Sequence, residues 1–165
     1  MKEEKIEESL HDHTLDRVDR RILATLQANG RISNQELAST VHLSPAQCNR
    51  RHRRLERLGF VKRYEARLDA DRLGLGVTAF VHITMERGQF KEVLKFQRTI
   101  ERMPEILECH AVTGDFDYVC KVVASDLKSL SNFLLGTLAQ LPGVNGVRSS
   151  ICLNELKCTS ALPLE

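Results

Sequence analysis

The stretch Leu43–Phe60, LSPAQCNRRHRRLERLGF, constrains this chain more than any other, because it carries its own start, stop and facing. Ser44 stands at an N-cap position and Pro45 at the first helical residue, where a missing N–H costs nothing. Gln47, three residues after Ser44, completes the S-x-x-Q pattern of a capping box. Gly59 supplies the residue that most readily takes the left-handed conformation ending a helix. At about 100° per residue, Cys48, His52, Leu55 and Leu58 fall on one side, while Ala46, Arg50, Arg53 and Arg57 fall on the other, flanked by Asn49 and Arg54. One face can pack and the other is a row of guanidiniums. Five Arg lie between positions 50 and 57, with only Glu56 available to pair with them. Such a row repels itself unless a polyanion answers it, which points to nucleic acid rather than to a merely solvated surface.

The charge balance supports a separate basic module. The net charge of +2 over 165 residues conceals a partition. Residues 1–14 carry two Lys against five acids, residues 15–68 twelve Lys/Arg against five, and residues 69–165 ten against twelve. The positive field is confined to one third of the chain. At 5% aromatic residues and no Trp, a stacking platform for single strands is poorly supplied, so the expected partner is double-stranded DNA. The five Cys include no C-x-x-C and read as reduced, mostly buried residues of a cytosolic protein. No apolar run has the length of a membrane span, and the acidic start does not resemble a signal sequence, so a cytoplasmic protein without a membrane partner is expected.

In chain order, residues 1–14 read as a mobile charged tail, and its His11-Asp-His13 as no metal site. A first helix is expected from Leu15 to Asn29, capped by Asp16 and striped by Val18, Ile22, Leu23 and Leu26. Ser33-Asn-Gln-Glu36 is a second capping box, opening a short helix through Leu37, Ala38 and Val41. With a tight turn at His42-Leu43, the three helices make a helix-turn-helix over residues 15–68, and the third becomes its recognition helix over residues 44–58. The partial alternation of FVKRYEARL predicts a small wing or linker strand, with Lys62 and Arg63 placed for phosphate. Residues 69–76, DADRLGLG, read as a hinge.

Residues 77–165 then alternate in character. Strands are expected at Val77–Met85, Ile106–Thr113, Asp117–Ala124 and Val144–Leu156. Helical stripes lie between them at about 90–103 and from Ser125 to Leu141. The order βαββαβ predicts a ferredoxin-like domain with both helices on one face of a four-stranded sheet. The uncovered face needs a cover, for which a second copy of the sheet is the simplest source. The fold class is therefore α+β: a winged helix-turn-helix followed by a ferredoxin-like domain.

Several motifs, in one order, resemble the leucine-responsive regulatory protein / AsnC family of bacterial transcription regulators. They are LDRVDRRILATLQANGRISNQELA, LSPAQCNRRHRRLERLGFV, PEILECHAVTGDFDYVCKV and LPGVNGVRSS, covering residues 15 to about 163. The GDFDY and LPGVN stretches lie nearer to the leucine-responsive branch than to AsnC itself. The resemblance implies a nucleoid-associated, amino-acid-responsive regulator without a cofactor. It implies homodimers that assemble to octamers, with a small amino acid bound between dimers near the Gly-Asp-x-Asp turn. Carried onto this sequence, that turn is Gly114, Asp115, Phe116, Asp117 and Tyr118, faced by Ala139 and by Ser149, Ser150 and the residues up to Cys152. The effector expected is leucine, methionine or another apolar amino acid. Two departures stand out: His52 occupies a packing position where the family usually carries an aliphatic residue, and Ser149-Ser150 stand where bulkier residues are expected.

For the DNA site, Ser44 and Gln47 lie at the helix N-terminus, where backbone N–H groups also favour phosphate. Gln47, Asn49 and Arg50 are candidates for base edges, since amide and guanidinium groups pair bidentately with A and G. Arg53, Arg54 and Arg57 are assigned to phosphate, and Arg51, at the edge of the packed face, to either DNA or structure. In the sensor site, Asp115 or Asp117 can pair with an ammonium, and the amides after Gly114 can hold a carboxylate. Read without the resemblance, the same turn is a tight β-hairpin in which Gly permits positive φ and Asp caps. Enzyme readings are weak: there is no supported nucleophile triad, Walker-type loop or H-E-x-x-H, so no catalytic or metal residues are assigned. Two other readings remain, a DNA-compacting architectural protein and a redox or metal sensor using Cys109, Cys120 and Cys152, whose strand positions otherwise mark them as core.

Overall fold

The computed structural model describes residues 14–86, 88 and 90–164. The expected tail before Thr14, with His11 and His13, lies outside the described residues. By its internal contacts the chain divides into two units, one running to Arg67 and including the residues from Lys157, the other spanning Leu68–Leu156.

In the first unit, α1 (Arg17–Ala28), α2 (Asn34–Val41) and α3 (Pro45–Arg57) form around Ile22, Leu23, Leu26, Leu37, Ala38, Val41, Cys48 and Leu55, all buried. Each helix opens on a side-chain cap. Asp16 and Asp19 cap α1 reciprocally, as Ser33 and Glu36 do α2. In α3 only half of the expected box forms: the Gln47 N–H donates to Ser44 Oγ at 3.3 Å, and no return bond from the Gln47 side chain is made. The turn between α2 and α3 rests on His42, whose φ of 58° is left-handed, with its N–H donating to the Ala38 and Ser39 carbonyls. The expected wing strand does not form, and residues 62–69 carry no strand. Lys62, Arg63, Glu65 and Arg67 are exposed, and so are Tyr64, Ala66 and Leu68 between them, so the alternation buries no face.

The second unit is a four-stranded antiparallel sheet of order β2-β3-β1-β4. Its strands are β1 (Val77–Met85), β2 (Ile106–Ala111), β3 (Tyr118–Ala124) and β4 (Val144–Ile151). Helices α4 (Phe90–Ile100) and α5 (Leu127–Gly136) connect them as the split βαβ pattern requires. Both helices cover one face, where Ala79, Val81, Ile83, Cys120 and Val122 of the sheet meet Phe96, Ile100, Leu130, Phe133 and Leu134. The opposite face shows Phe80, His82 and Thr84 of β1. Two expected elements are shorter than their apolar stripes. α5 stops at Gly136 and is followed by a 3-10 turn over Leu138–Gln140 that buries Leu138. β4 ends at Ile151, because β1 offers a partner only as far as the Cys152 N–H bond to the Thr78 carbonyl at 2.8 Å.

Candidate DNA interface and effector groove

The recognition helix is seated by charge as well as by apolar packing. Asp19 on α1 is 1% exposed, and it accepts from Arg51 Nη1 at 2.8 Å and from Arg54 Nη1 at 3.2 Å. Arg51 Nη1 also donates to Asp16 Oδ2 at 2.6 Å. Burial tends to raise the Asp16 carboxyl, but the Asp19 N–H and the Arg51 guanidinium outweigh it and hold the group below its usual range. The five-Arg row therefore divides. Arg51 and Arg54 turn inward to Asp16 and Asp19 at the start of α1, so the expectation that only Glu56 could answer the row is corrected, and Arg54, expected at phosphate, is also held by Asp19. Arg50, Arg53 and Arg57 remain exposed, and none has an ion pair among the described residues. Ser44 and Gln47 are exposed beside them at the helix N-terminus, while Asn49 is half-buried. Beyond the helix, Lys62 is exposed and Arg63 pairs with Glu65 at 2.6 Å on the surface.

His52 has the hydrogen-bonding partner that its packing position demands. Its Nε2 lies 2.7 Å from the Tyr64 hydroxyl, which donates to Glu56 Oε1 at 3.0 Å. With that donation fixed, the hydroxyl accepts from His52, which places a proton on Nε2. Partial burial, together with the Glu56 bond, pushes the Tyr64 hydroxyl up to about 12. The cluster ties the segment after α3 back onto the helix, which is the service an aliphatic residue at position 52 could not provide.

In the second unit, the Gly114–Asp117 turn closes over the open face of the sheet. Gly114 adopts φ of 116°, a conformation costly for other residues. Asp115 and Phe116 border a groove of about 420 Å³ with His82 and Thr84 of β1 and Asn145, Gly146, Val147 and Arg148 of the β4 region. The Phe116 ring lies 4.6 Å from the His82 ring, and the Arg148 guanidinium sits 5.8 Å from its centroid. The groove presents an acid, a guanidinium and an aromatic wall together. Gly146 has no room for a side chain, since a Cβ there would stand 2.7 Å from Thr84 Oγ1.

The profile of the winged helix-turn-helix DNA-binding domain matches residues 15–62, and that of the Lrp/AsnC ligand binding domain matches residues 78–162. The chain belongs to the Lrp/AsnC family. It is 43% identical over 151 residues to the leucine-responsive regulatory proteins of Salmonella typhimurium and Escherichia coli, covering 92% of each chain. Among solved structures, it is similar to a transcriptional regulator of Neisseria meningitidis in complex with L-Met. That match has 39% identity and a TM-score of 0.89, over 92% of this chain and 97% of that one. An AsnC family regulator of Agrobacterium tumefaciens follows at 31% identity and a TM-score of 0.86, over 91% and 97%. Escherichia coli AsnC, at 22% identity and a TM-score of 0.83, shares the fold. This Lrp/AsnC protein is a transcription regulator with a DNA-binding and an amino-acid-binding domain.

Not all effector residues expected from the family pattern meet in one place. Asp115 and Phe116 border the groove. Asp117 does not: its Oδ2 accepts the Met85 N–H at 2.7 Å, and its own N–H donates to the Ile83 carbonyl at 2.9 Å, so it ties the turn to β1. Tyr118 is buried against Phe96, with ring centroids 4.9 Å apart, in the helix layer. Ser149 is paired with Val81 and so shares the helix-covered face, whereas Ser150, paired with Phe80, lies on the open one. Ala139 sits half-buried in the 3-10 turn of the helix layer. His82, Thr84 and Arg148 were missed. The alternation of β1 places His82 and Thr84 on one face, but nothing local says that strand four will bring Arg148 beside them.

Proposed function

We propose that the chain is an amino-acid-responsive regulator whose α3 reads the major groove of double-stranded DNA and whose second unit binds an apolar amino acid, leucine or methionine being the leading candidates. The observation that carries the DNA reading is the division of the guanidinium row. Two Arg hold the helix in place, and Arg50, Arg53 and Arg57 are left exposed with Ser44 and Gln47. Gln47, Arg50 and the half-buried Asn49 contact base edges; Arg53, Arg57, Lys62 and Arg63 contact phosphate. Two-fold related helices would enter successive major grooves about 34–36 Å apart.

For the effector, the ammonium pairs with Asp115, the carboxylate with Arg148 or the amides following Gly114, and the side chain lies against Phe116. The L-Met complex of the Neisseria regulator and the acid–guanidinium–aromatic groove support this reading. Asp117 positions the turn rather than touching the ligand. Homodimers form through the open sheet faces, which expose Phe80 at 43%, and assemble to octamers in which a neighbouring dimer completes the site. The protein works in the cytoplasm on the nucleoid, requires no cofactor and is not an enzyme.

Footprinting on genomic fragments, with and without leucine and methionine, tests the whole. The expected result is protection of a few defined, roughly palindromic sites whose occupancy shifts with one of the two amino acids. Uniform protection of all fragments, insensitive to either, would establish the architectural alternative instead.

A further inference from the structure

Cys109 and Cys120 are a cross-strand pair that the regulator's DNA and effector sites leave unused. They stand directly opposite one another in the antiparallel ladder of β2 and β3. Directly opposite residues in such a ladder alternate between hydrogen-bonded and non-hydrogen-bonded pairs, and the latter bring their side chains closer, at about 4.5 Å between Cα atoms. The phase can be read from both ends. The Val112 N–H donates to the Asp117 carbonyl, which makes 112 and 117 a hydrogen-bonded pair in the same register. Counting back three places makes 109 and 120 non-hydrogen-bonded. From the other end, the Val123 N–H donates to the Glu105 carbonyl, and the register shifts by one between Ile106 and Glu108. That bulge keeps the phase, so 109 and 120 are again non-hydrogen-bonded. The separation falls within the roughly 4.4–6.8 Å that a disulfide spans.

The two sulfurs differ in environment. Cys120 is fully buried on the central strand β3, whereas Cys109 is half-buried on β2, the edge of the sheet. The Cys120 thiol hydrogen-bonds to Cys109 and, with His110 nearby, lowers the Cys109 thiol from its ordinary value against the opposing effect of burial. The same bond and burial raise Cys120. The arrangement supplies a reachable, thiolate-prone sulfur with a resolving thiol behind it. The other cysteines offer no such pairing: Cys152 lies beyond β4 at the opposite edge of the sheet, and Cys48 is buried in the first unit.

We propose that Cys109 and Cys120 form a peroxide-oxidisable dithiol, closing to an intramolecular disulfide that staples β2 to β3 above the Gly114 turn. Cys109 Sγ attacks one oxygen of a hydroperoxide, the O–O bond breaks, and the leaving oxygen takes a proton to depart as water or alcohol. Cys120 Sγ then attacks the resulting sulfenic sulfur, and the hydroxyl leaves as water with the second thiol proton. Two thiols lose one electron each and the peroxide gains two. The hairpin so stapled carries Asp115 and Phe116, but the chemistry does not depend on what those residues bind.

Both cysteines fall on one tryptic peptide, residues 103–121, which makes the test direct. The full chain is reduced, freed of reductant, treated with hydrogen peroxide, alkylated and digested. The expected product is that peptide lighter by two hydrogens, with loss of alkylation at both positions and recovery after dithiothreitol. In the Cys120→Ala variant, Cys109 should instead be trapped as a sulfenic acid by a dimedone probe. Wild-type peptide that remains alkylated at both positions overturns the proposal. So does sulfinic acid at Cys109 with Cys120 still alkylated, or oxidation confined to the exposed Cys158.

Discussion

At the scale of single residues, Asp19 and His42 each carry a measurable burden. Asp19 is a buried acid that holds two guanidiniums, and its removal would take that carboxylate from both beside an apolar core, while Arg51 keeps its bond to Asp16. Loss of one partner from a buried pair costs about 3–5 kcal/mol, and because Arg51 and Arg54 keep about a quarter of their side-chain surface in water we discount this to about 2 kcal/mol for Asp19→Ala. Urea denaturation followed by circular dichroism should show the first unit unfolding earlier by that amount; an unchanged midpoint would remove the seating role. His42 is the converse case. It occupies a left-handed cap that glycine takes without strain, at a cost of roughly 1 kcal/mol for a side chain with a Cβ. His42→Gly should therefore stabilise the chain by about 1 kcal/mol in the same experiment, despite the greater freedom of glycine in the unfolded state. Of these features, the Asp16 cap of the first helix and the tight turn at His42 were legible in sequence. That Asp19 also turns inward to Arg51 and Arg54 depends on the crossing of α1 and α3, which no local spacing encodes.

Elements were the best-read level, and their errors have a common cause. Helices and strands whose apolar residues face a core appeared where their periods placed them. The wing strand failed because the segment is held by single contacts, Val61 on the helical core and Tyr64 on His52 and Glu56, while the alternation in residues 62–68 buries no face; α5 and β4 stopped short because cap and ladder, not hydrophobicity, end an element. The caps themselves predict a pH response. Glu36, through Ser33, and Asp126, through Ser129 and Ser125, are held below the usual carboxylate range, as Asp16 is. A carboxylate with a depressed folded pKa contributes stability above its unfolded pKa and loses it as pH falls through the folded one. Helicity should thus begin to fail as pH drops below about 4, and Ser33→Ala should soften the dependence contributed by Glu36. On α3, exposure separates reading from holding. Arg50→Ala should relax preference at one base position by about 1–3 kcal/mol, while Arg57→Ala should weaken all duplexes alike and reduce the salt slope by about 1. Gel-shift titrations on cognate and scrambled duplexes at several salt concentrations distinguish the two, and wild-type behaviour in both mutants would refute the assignment.

At the scale of the whole molecule, a chain read as two successive domains returns on itself. The residues from Lys157 rejoin the first unit: Gln27 Nε2 donates to the Leu162 carbonyl at 3.0 Å, the Leu162 N–H donates back to Gln27 Oε1 at 2.6 Å, and Leu164 packs against the helical core. Sequence patterning could not show this, since the segment has no period and its partner lies 135 residues away. The groove was legible in part for the same reason: Asp115 and Phe116 came from a local motif, whereas Arg148 reaches them only through the β1–β4 ladder. If that groove holds the amino acid, ligand binding must stabilise the second unit in proportion to the logarithm of concentration over Kd, about 2.7 kcal/mol at a hundredfold excess. A thermal-shift screen of the twenty amino acids should give its largest rise with leucine or methionine. Asp115→Ala and Arg148→Ala should each abolish that rise while leaving the unliganded melting point nearly unchanged, because both side chains line the open groove rather than the core. Asp117→Ala should do the opposite, lowering the unliganded melting point through loss of the Met85 bond. A shift that survives both groove substitutions would place the effector elsewhere on the chain.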